Sequence, residues 1–251
     1  MNVVIIGSGN VATVLGRMLL NTRHIIVQVM SPELAHAKLL GDVLHCGYTD
    51  SFTTLNTSAD LYLIAITDSV LPGLKKSLSL GNALVVHTAG AIPCDVLKGI
   101  SLNYGVLYPL QSLYREMDLS LEVPLLIDGN SATTLHFIGD FARTLSSLVS
   151  VAHDEERLKL HVAAVLVNNF SNHLYAMAET YCISEQIDFN MLKPLIRETA
   201  NRIATHSPST VQTGPAQRKD RFTIEKHLSL LSKYPEIRDI YIKMTESIVG
   251  K

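Results

Sequence analysis

The sequence predicts an α/β protein, a doubly wound parallel sheet followed by a smaller all-helical domain, and three observations carry this. Over the N-terminal part of the 251 residues, short β-branched or Leu-rich runs alternate with segments of helical spacing. Directly after the first apolar run the chain breaks into Gly7-Ser8-Gly9-Asn10-Val11-Ala12 and resumes with helical periodicity. Beyond His153 the strand-like runs cease, and Asp154 to Ile183 contains neither Gly nor Pro. Together these describe a Rossmann-type sheet with a helical appendix.

The elements follow in order. Val3–Ile6, Ile25–Met30, Leu61–Ile66 and Ala83–His87 read as buried parallel strands, apolar throughout and bounded by Gly, Asn, Asp or Ser. Val106–Tyr108, Leu125–Ile127 and Leu148–Val151 are shorter strand segments. Val11–Leu20, Pro32–Leu40 and Leu71–Leu78 have helix length. Asn130 stands where it would cap a helix whose Leu135, Ile138, Phe141 and Leu145 share one apolar face. Asp154, Glu155 and Glu156 suit the N-terminus of the long helix. Further helices are expected at Asn190–His206, Thr223–Leu231 and from Pro235 to about Ile248. The expected division is a nucleotide-binding domain over 1–152 and a helical domain over 153–251.

Composition excludes several classes. A formal charge of −2 leaves no electrostatic footprint for nucleic acid or an anionic membrane. Cys46, Cys94 and Cys182 are far apart without metal-ligand spacing, so reduced thiols and no metal are expected. The opening apolar run is too short for a signal peptide, and no segment reaches the roughly 20 apolar residues of a membrane span. A cytoplasmic protein with a small-molecule substrate fits best.

The Gly-rich break has a chemical reading. Gly7 permits the tight turn, Gly9 lets backbone approach a pyrophosphate, and small Ala12 lets the helix pack on the strand. Ser8, Asn10 and Val11 then lie at the amide-rich helix start that faces the phosphates. At the end of the second strand, where an NAD site carries Asp or Glu, stands Ser31. A carboxylate there would repel a 2′-phosphate and a hydroxyl does not, so NADP is expected over NAD, with the cation either supplied by Lys38 or absent. Thr67 and Asp68 end the fourth strand, and His87 and Thr88 the fifth, where a nicotinamide would lie. Gln111 follows the next strand on the same rim.

The GSGNVA turn, His87-Thr88-Ala89-Gly90, the YPLQS segment from Tyr108 and the TGPAQRKD segment from Thr213 together resemble a two-domain family over essentially the whole chain. Its members join a Rossmann-like domain to a C-terminal helical domain of unknown function and are often labelled NADP oxidoreductases. The plan is similar to pyrroline-5-carboxylate reductase, ketopantoate reductase and the β-hydroxyacid dehydrogenases, and to the C-terminal domain of 6-phosphogluconate dehydrogenase. The resemblance implies NADP-linked reduction and pairing of two chains through the helical domain. Tyr108 and Pro32 depart from it, standing where His and Arg are expected.

The related dehydrogenases use a Lys with an Asn one turn on. Here Lys159 is followed at that spacing by Ala163, so the pair is not reproduced. Instead His161, Asn168 and Asn172 fall at i, i+7 and i+11 on one stripe, with Asn169 and His173 beside it. His161 is the expected proton donor, and Asn168 and Asn169 the residues that orient a substrate. Arg218 is the expected partner of an anionic substrate. Two functions are compatible with this pattern. One is an NADP-dependent reductase of a small carbonyl or imine compound, with an acid such as ketopantoate the most concrete candidate. The other is a non-catalytic NADP(H)-binding sensor. A homodimer is expected in either case.

Overall fold

The computed structural model describes residues 1–250. Strands β1 (Asn2–Ile6), β2 (Ile25–Met30), β3 (Gly47–Thr49), β4 (Leu61–Ile64), β5 (Leu84–His87), β6 (Asn103–Pro109), β7 (Leu125–Gly129) and β8 (Val149–Val151) form one sheet. Their order is β3-β2-β1-β4-β5-β6-β7-β8. Neighbours run parallel except β6 and β7, which are antiparallel. The order reverses between β1 and β4, so the crevice at their carboxyl ends is the topological switch point.

Strand periodicity divides the core. Val3 and Ile5 point to one face of the sheet, where they pack with Leu15, Leu19 and Phe141. Val4 and Ile6 point to the other and pack with Tyr62, Ile64 and Leu97. Helices α1 (Asn10–Leu19), α2 (Leu34–Leu44) and α3 (Ala132–Arg143) flank the sheet.

Four local readings change. Leu71–Leu78 forms a 3₁₀ segment, Leu71–Lys76, where Gly73 lowers the helix propensity. The second helix begins at Leu34 rather than Pro32 and ends on His45 in the left-handed region. The fourth strand stops at Ile64, and the short edge strand β3 was not anticipated. Asn130 is not the cap of α3: it accepts from Tyr104 N and donates to Leu102 O, and the Ser131 hydroxyl accepts from Thr134 N instead.

The chain divides into two compact units, Met1–Asn169 and Phe170–Lys251. His153 marks where the helical run begins, and the units part in its middle: α4 (Asp154–Ala164) belongs to the first. The second holds α5 (Ser171–Ser184), α6 (Lys193–Ile203), α7 (Arg221–Leu230) and α8 (Pro235–Val249).

Gly105 and Gly129 face each other across β6 and β7. A Cβ on Gly129 would lie 2.6 Å from the Leu135 nitrogen, so α3 starts hard against the sheet only because that side chain is missing. Gly129→Ala is expected to cost about 1–3 kcal/mol, the scale of overpacking a tight contact. The readout is the denaturant midpoint. Gly73→Ala is the control, since nothing lies within 4 Å of its Cβ position.

Candidate nucleotide and substrate site

The two glycines of the opening turn do different work. Gly7 has φ +122°, and a Cβ there would lie 2.0 Å from the Ala65 carbonyl oxygen, so the fold itself requires glycine. Gly9 has an ordinary φ of −79°, and nothing lies within 4 Å of its Cβ position. The protein makes no demand on Gly9. The open space above it, at the start of α1, is a cradle that fits a pyrophosphate. Thr13 fastens that first turn, donating to Gly9 O from its amide at 3.0 Å and its hydroxyl at 2.9 Å. The amides before it have no intrahelical partner and stand ready for an anion. Ser8 is half-buried, Asn10 exposed and Ala12 fully buried.

At the end of β2, Ser31 is buried and its hydroxyl pairs with the Ser8 hydroxyl at 2.8 Å. Lys38, the candidate cation, is 3.5 Å from Asp42 on its own helix. The cation that reaches the turn is Arg115, which donates to Ser8 O at 3.1 Å. Arg17 in turn donates to Arg115 O at 2.6 Å. Ser8, Arg17, His36, Arg115 and Glu116 line a cavity of about 590 Å³ here. Sequence reading missed Arg115, which follows β6 in an unpatterned loop.

On the opposite side of the turn a cavity of about 550 Å³ runs from Val11 past Thr88 to Tyr108, Gln111, His161, Asn168 and Asn169. At its centre the Tyr108 hydroxyl is 2.9 Å from His161 Nδ1, with the rings edge to face at 5.9 Å. Gly90 lies against the pair: a Cβ there would be 2.8 Å from Tyr108 Cζ and 3.0 Å from His161 Nδ1. Burial raises the Tyr108 pKa, and the Asp68 carboxylate adds to this against a smaller opposing effect of Arg157, so the phenol keeps its proton. Thr67 and Asp68 lie exposed in the turn after β4, while Thr88 is buried and donates to Ile64 O at 3.4 Å.

Asn168 and Asn169 both line this cavity, seven and eight residues after His161, and they lie in a π-helical turn over Val165–Phe170. Asn172 and His173, expected on the same stripes, belong to the second unit. Arg218 also lies there, in the turn between Gly214, with φ +106°, and α7. α7 starts at Arg221 and is capped by Asp220.

His87, expected at the cofactor, is sealed in the interior at 0% exposure. Its Nδ1 accepts from Ala89 N at 3.2 Å, which leaves the proton of the neutral ring on Nε2, buried without a partner. Arg157, 1% exposed, is the buried charge that acts on it; it donates to Asp154 at 2.8 Å and Ile92 O at 2.5 Å and lies 3.9 Å from Asp128. Burial, and then the Arg157 charge, push the His87 pKa down to about 4. Asp154 also accepts from Cys94 N at 2.9 Å. Burial would raise this carboxyl, but the Cys94 and Arg157 donors outweigh it and hold it below its usual range.

Because His87 stays neutral when folded but gains a proton when unfolded, acid favours the unfolded chain. Stability should fall as pH drops from about 6.5 toward 4, by up to about 1.4 kcal/mol per pH unit. Denaturant midpoints at pH 7 and pH 5 should therefore differ, and His87→Gln should shrink the difference. An unchanged difference would place the acid sensitivity on other groups.

Among the described residues no His, Cys, Asp or Glu group is arranged to hold a metal ion, and no helix is long and apolar enough to cross a membrane. A Rossmann-like domain model matches residues 1–111, and the model of a domain of unknown function, DUF2520, matches residues 123–248. No curated protein matches the sequence. Among solved structures, a Bacteroides fragilis protein described as a "putative NADP oxidoreductase" superposes with TM-score 0.93 at 36% identity, over 100% of this chain and 98% of that one. Pyrroline-5-carboxylate reductase of Streptococcus pyogenes shares the fold with TM-score 0.69 at 15% identity, over 100% and 99% of the two chains. An imine reductase of Myxococcus stipitatus, in complex with NADP+, gives 0.61 at 15%, over 100% and 92%. The chain therefore belongs to the DUF2520 family, and in it that domain follows a Rossmann-like domain.

Proposed function

We propose that the protein is an NADP-dependent reductase of a small carbonyl or imine compound. The observation that carries this is the single cavity joining Val11, at the phosphate-binding start of α1, to the hydrogen-bonded Tyr108–His161 pair. The 36%-identical relative described as an NADP oxidoreductase supports the same cofactor. When bound, NADPH supplies a hydride to the substrate carbon. The chain's own task is then to hold the substrate and deliver a proton to the oxygen or nitrogen.

His161 is the donor in this reading. Tyr108, kept protonated, holds the ring through Nδ1, and after transfer the ring takes its next proton from solvent. Asn168, Asn169 and Gln111 line the cavity with amides that can hold the carboxylate or carbonyl of an acid such as ketopantoate. A cavity walled by such groups also favours an enzyme over a sensor, whose nicotinamide end would be stoppered by apolar side chains. Free thiols at Cys46, Cys94 and Cys182 fit a reducing cytoplasm.

The test is NADPH consumption with a panel of small keto acids and cyclic imines. His161→Gln is expected to lower turnover by about 10²–10⁴-fold. Tyr108→Phe should cost less. Wild-type turnover in His161→Gln, with loss in Tyr108→Phe, would move the donor to the phenol.

We also propose a homodimer. Within the second unit the buried hydrophobic residues are Cys182, Ala216 and Leu231, while Ile183, Met191, Leu195, Phe222 and Leu230 are each more than 60% exposed. So little core cannot hold a helical unit together unaided, and a second copy would cover the apolar surface. Light scattering should give twice the chain mass at micromolar concentration, and a monomer would refute this.

A further inference from the structure

If the cofactor carries a 2′-phosphate, some group must meet its charge, and the end of β2 does not. Ser31 contributes a buried hydroxyl already paired with Ser8, and Pro32 has no N–H. Glu33 is acidic and 3.1 Å from His36, and Lys38 is turned to Asp42. The guanidinium of Arg115 does reach this place. It donates to the carbonyl of Ser8, the residue whose hydroxyl bonds Ser31, so that Ser8 links the cation directly to the end of β2. Arg17 steadies it by donating to Arg115 O at 2.6 Å and Met117 O at 3.4 Å. Both arginines and His36 line the cavity of about 590 Å³ beside the turn, with Glu116 the opposing acid.

Resting on the NADP reading above, we infer that Arg115 is the specificity-determining residue for the 2′-phosphate, a cation brought in from the β6–β7 connection because the β2 end lacks one. A guanidinium has five N–H donors, and the bond to Ser8 O uses one of them. The rest of the fork suits the oxygens of a phosphate monoester. Placing the charge on a loop remote in sequence also leaves the β2–α2 segment free to keep Pro32 and the Glu33–His36 pair.

The experiment is fluorescence titration of the intact protein with NADPH and with NADH, which needs no substrate. Wild type should prefer NADPH. Arg115→Gln keeps an amide able to donate to Ser8 O but removes the charge. It should weaken NADPH by about 10–100-fold, the scale of a hydrogen bond to a charged group, and leave NADH nearly unchanged. Arg115→Lys, which keeps the charge without the fork, should retain part of the preference. Adenosine 2′,5′-bisphosphate should displace NADPH from wild type far better than from Arg115→Gln. If Arg115→Gln weakens both nucleotides alike, the guanidinium only props the turn and the inference fails. It fails equally if the NADPH preference survives in Arg115→Gln. A wild type that binds both nucleotides alike would overturn the cofactor reading itself, and this assignment with it.

Discussion

A guanidinium withdrawn from water must be met by opposite charge or by carbonyl oxygens, and Arg157 is placed where both are available. At 1% exposure it joins the Asp154 carboxylate, the Ile92 carbonyl and, at longer range, the Asp128 carboxylate, which also pairs with His153. Removing one member of such a set leaves an uncompensated buried charge, typically worth about 3–5 kcal/mol. The contacts span the end of β7, the segment after β5 and the first turn of α4. They therefore fasten α4 to the sheet one turn before His161. The location of the proton-bearing pair in the cavity depends on this clamp.

The clamp shapes its surroundings as well. Its positive charge, with burial, keeps the neighbouring His87 neutral, so a titratable ring at a strand end becomes a packing element. The Tyr108 phenol, nearer the cavity, is pushed the other way by burial and by Asp68. Two aromatic titratable groups on adjacent strands thus differ in role because one lies within the arginine's sealed environment and the other at the rim. Gly90 completes the arrangement by leaving room for Tyr108 and His161 to meet.

The Gly-rich turn illustrates how a structural and a functional requirement can be separated. Gly7 is needed by the chain, since its backbone is left-handed and a carbonyl occupies the Cβ position. Gly9 is needed by nothing in the protein, which makes it the better indicator of a ligand. Both conditions hold within three residues, so one glycine answers a demand of the fold and the other leaves open space at the start of α1.

Much of this was legible in the sequence for a physical reason: local pattern determines local structure. Continuous apolar runs bounded by turn residues pointed to strands buried on both faces, and a Gly-rich break between strand and helix pointed to a tight turn able to approach a ligand. His161, Asn168 and Asn169 were legible as polar groups on an otherwise apolar helix. The sequence could not show that the helix would pass through a π turn at Val165–Phe170, because that change of pitch arises in the folded helix. Nor could it show that His87 would be buried within reach of the Arg157 charge, that Tyr108 would bond His161, or that Arg115 would reach Ser8. Those interactions join residues 70, 53 and 107 positions apart, and only the packing of sheet, helix and loop decides them.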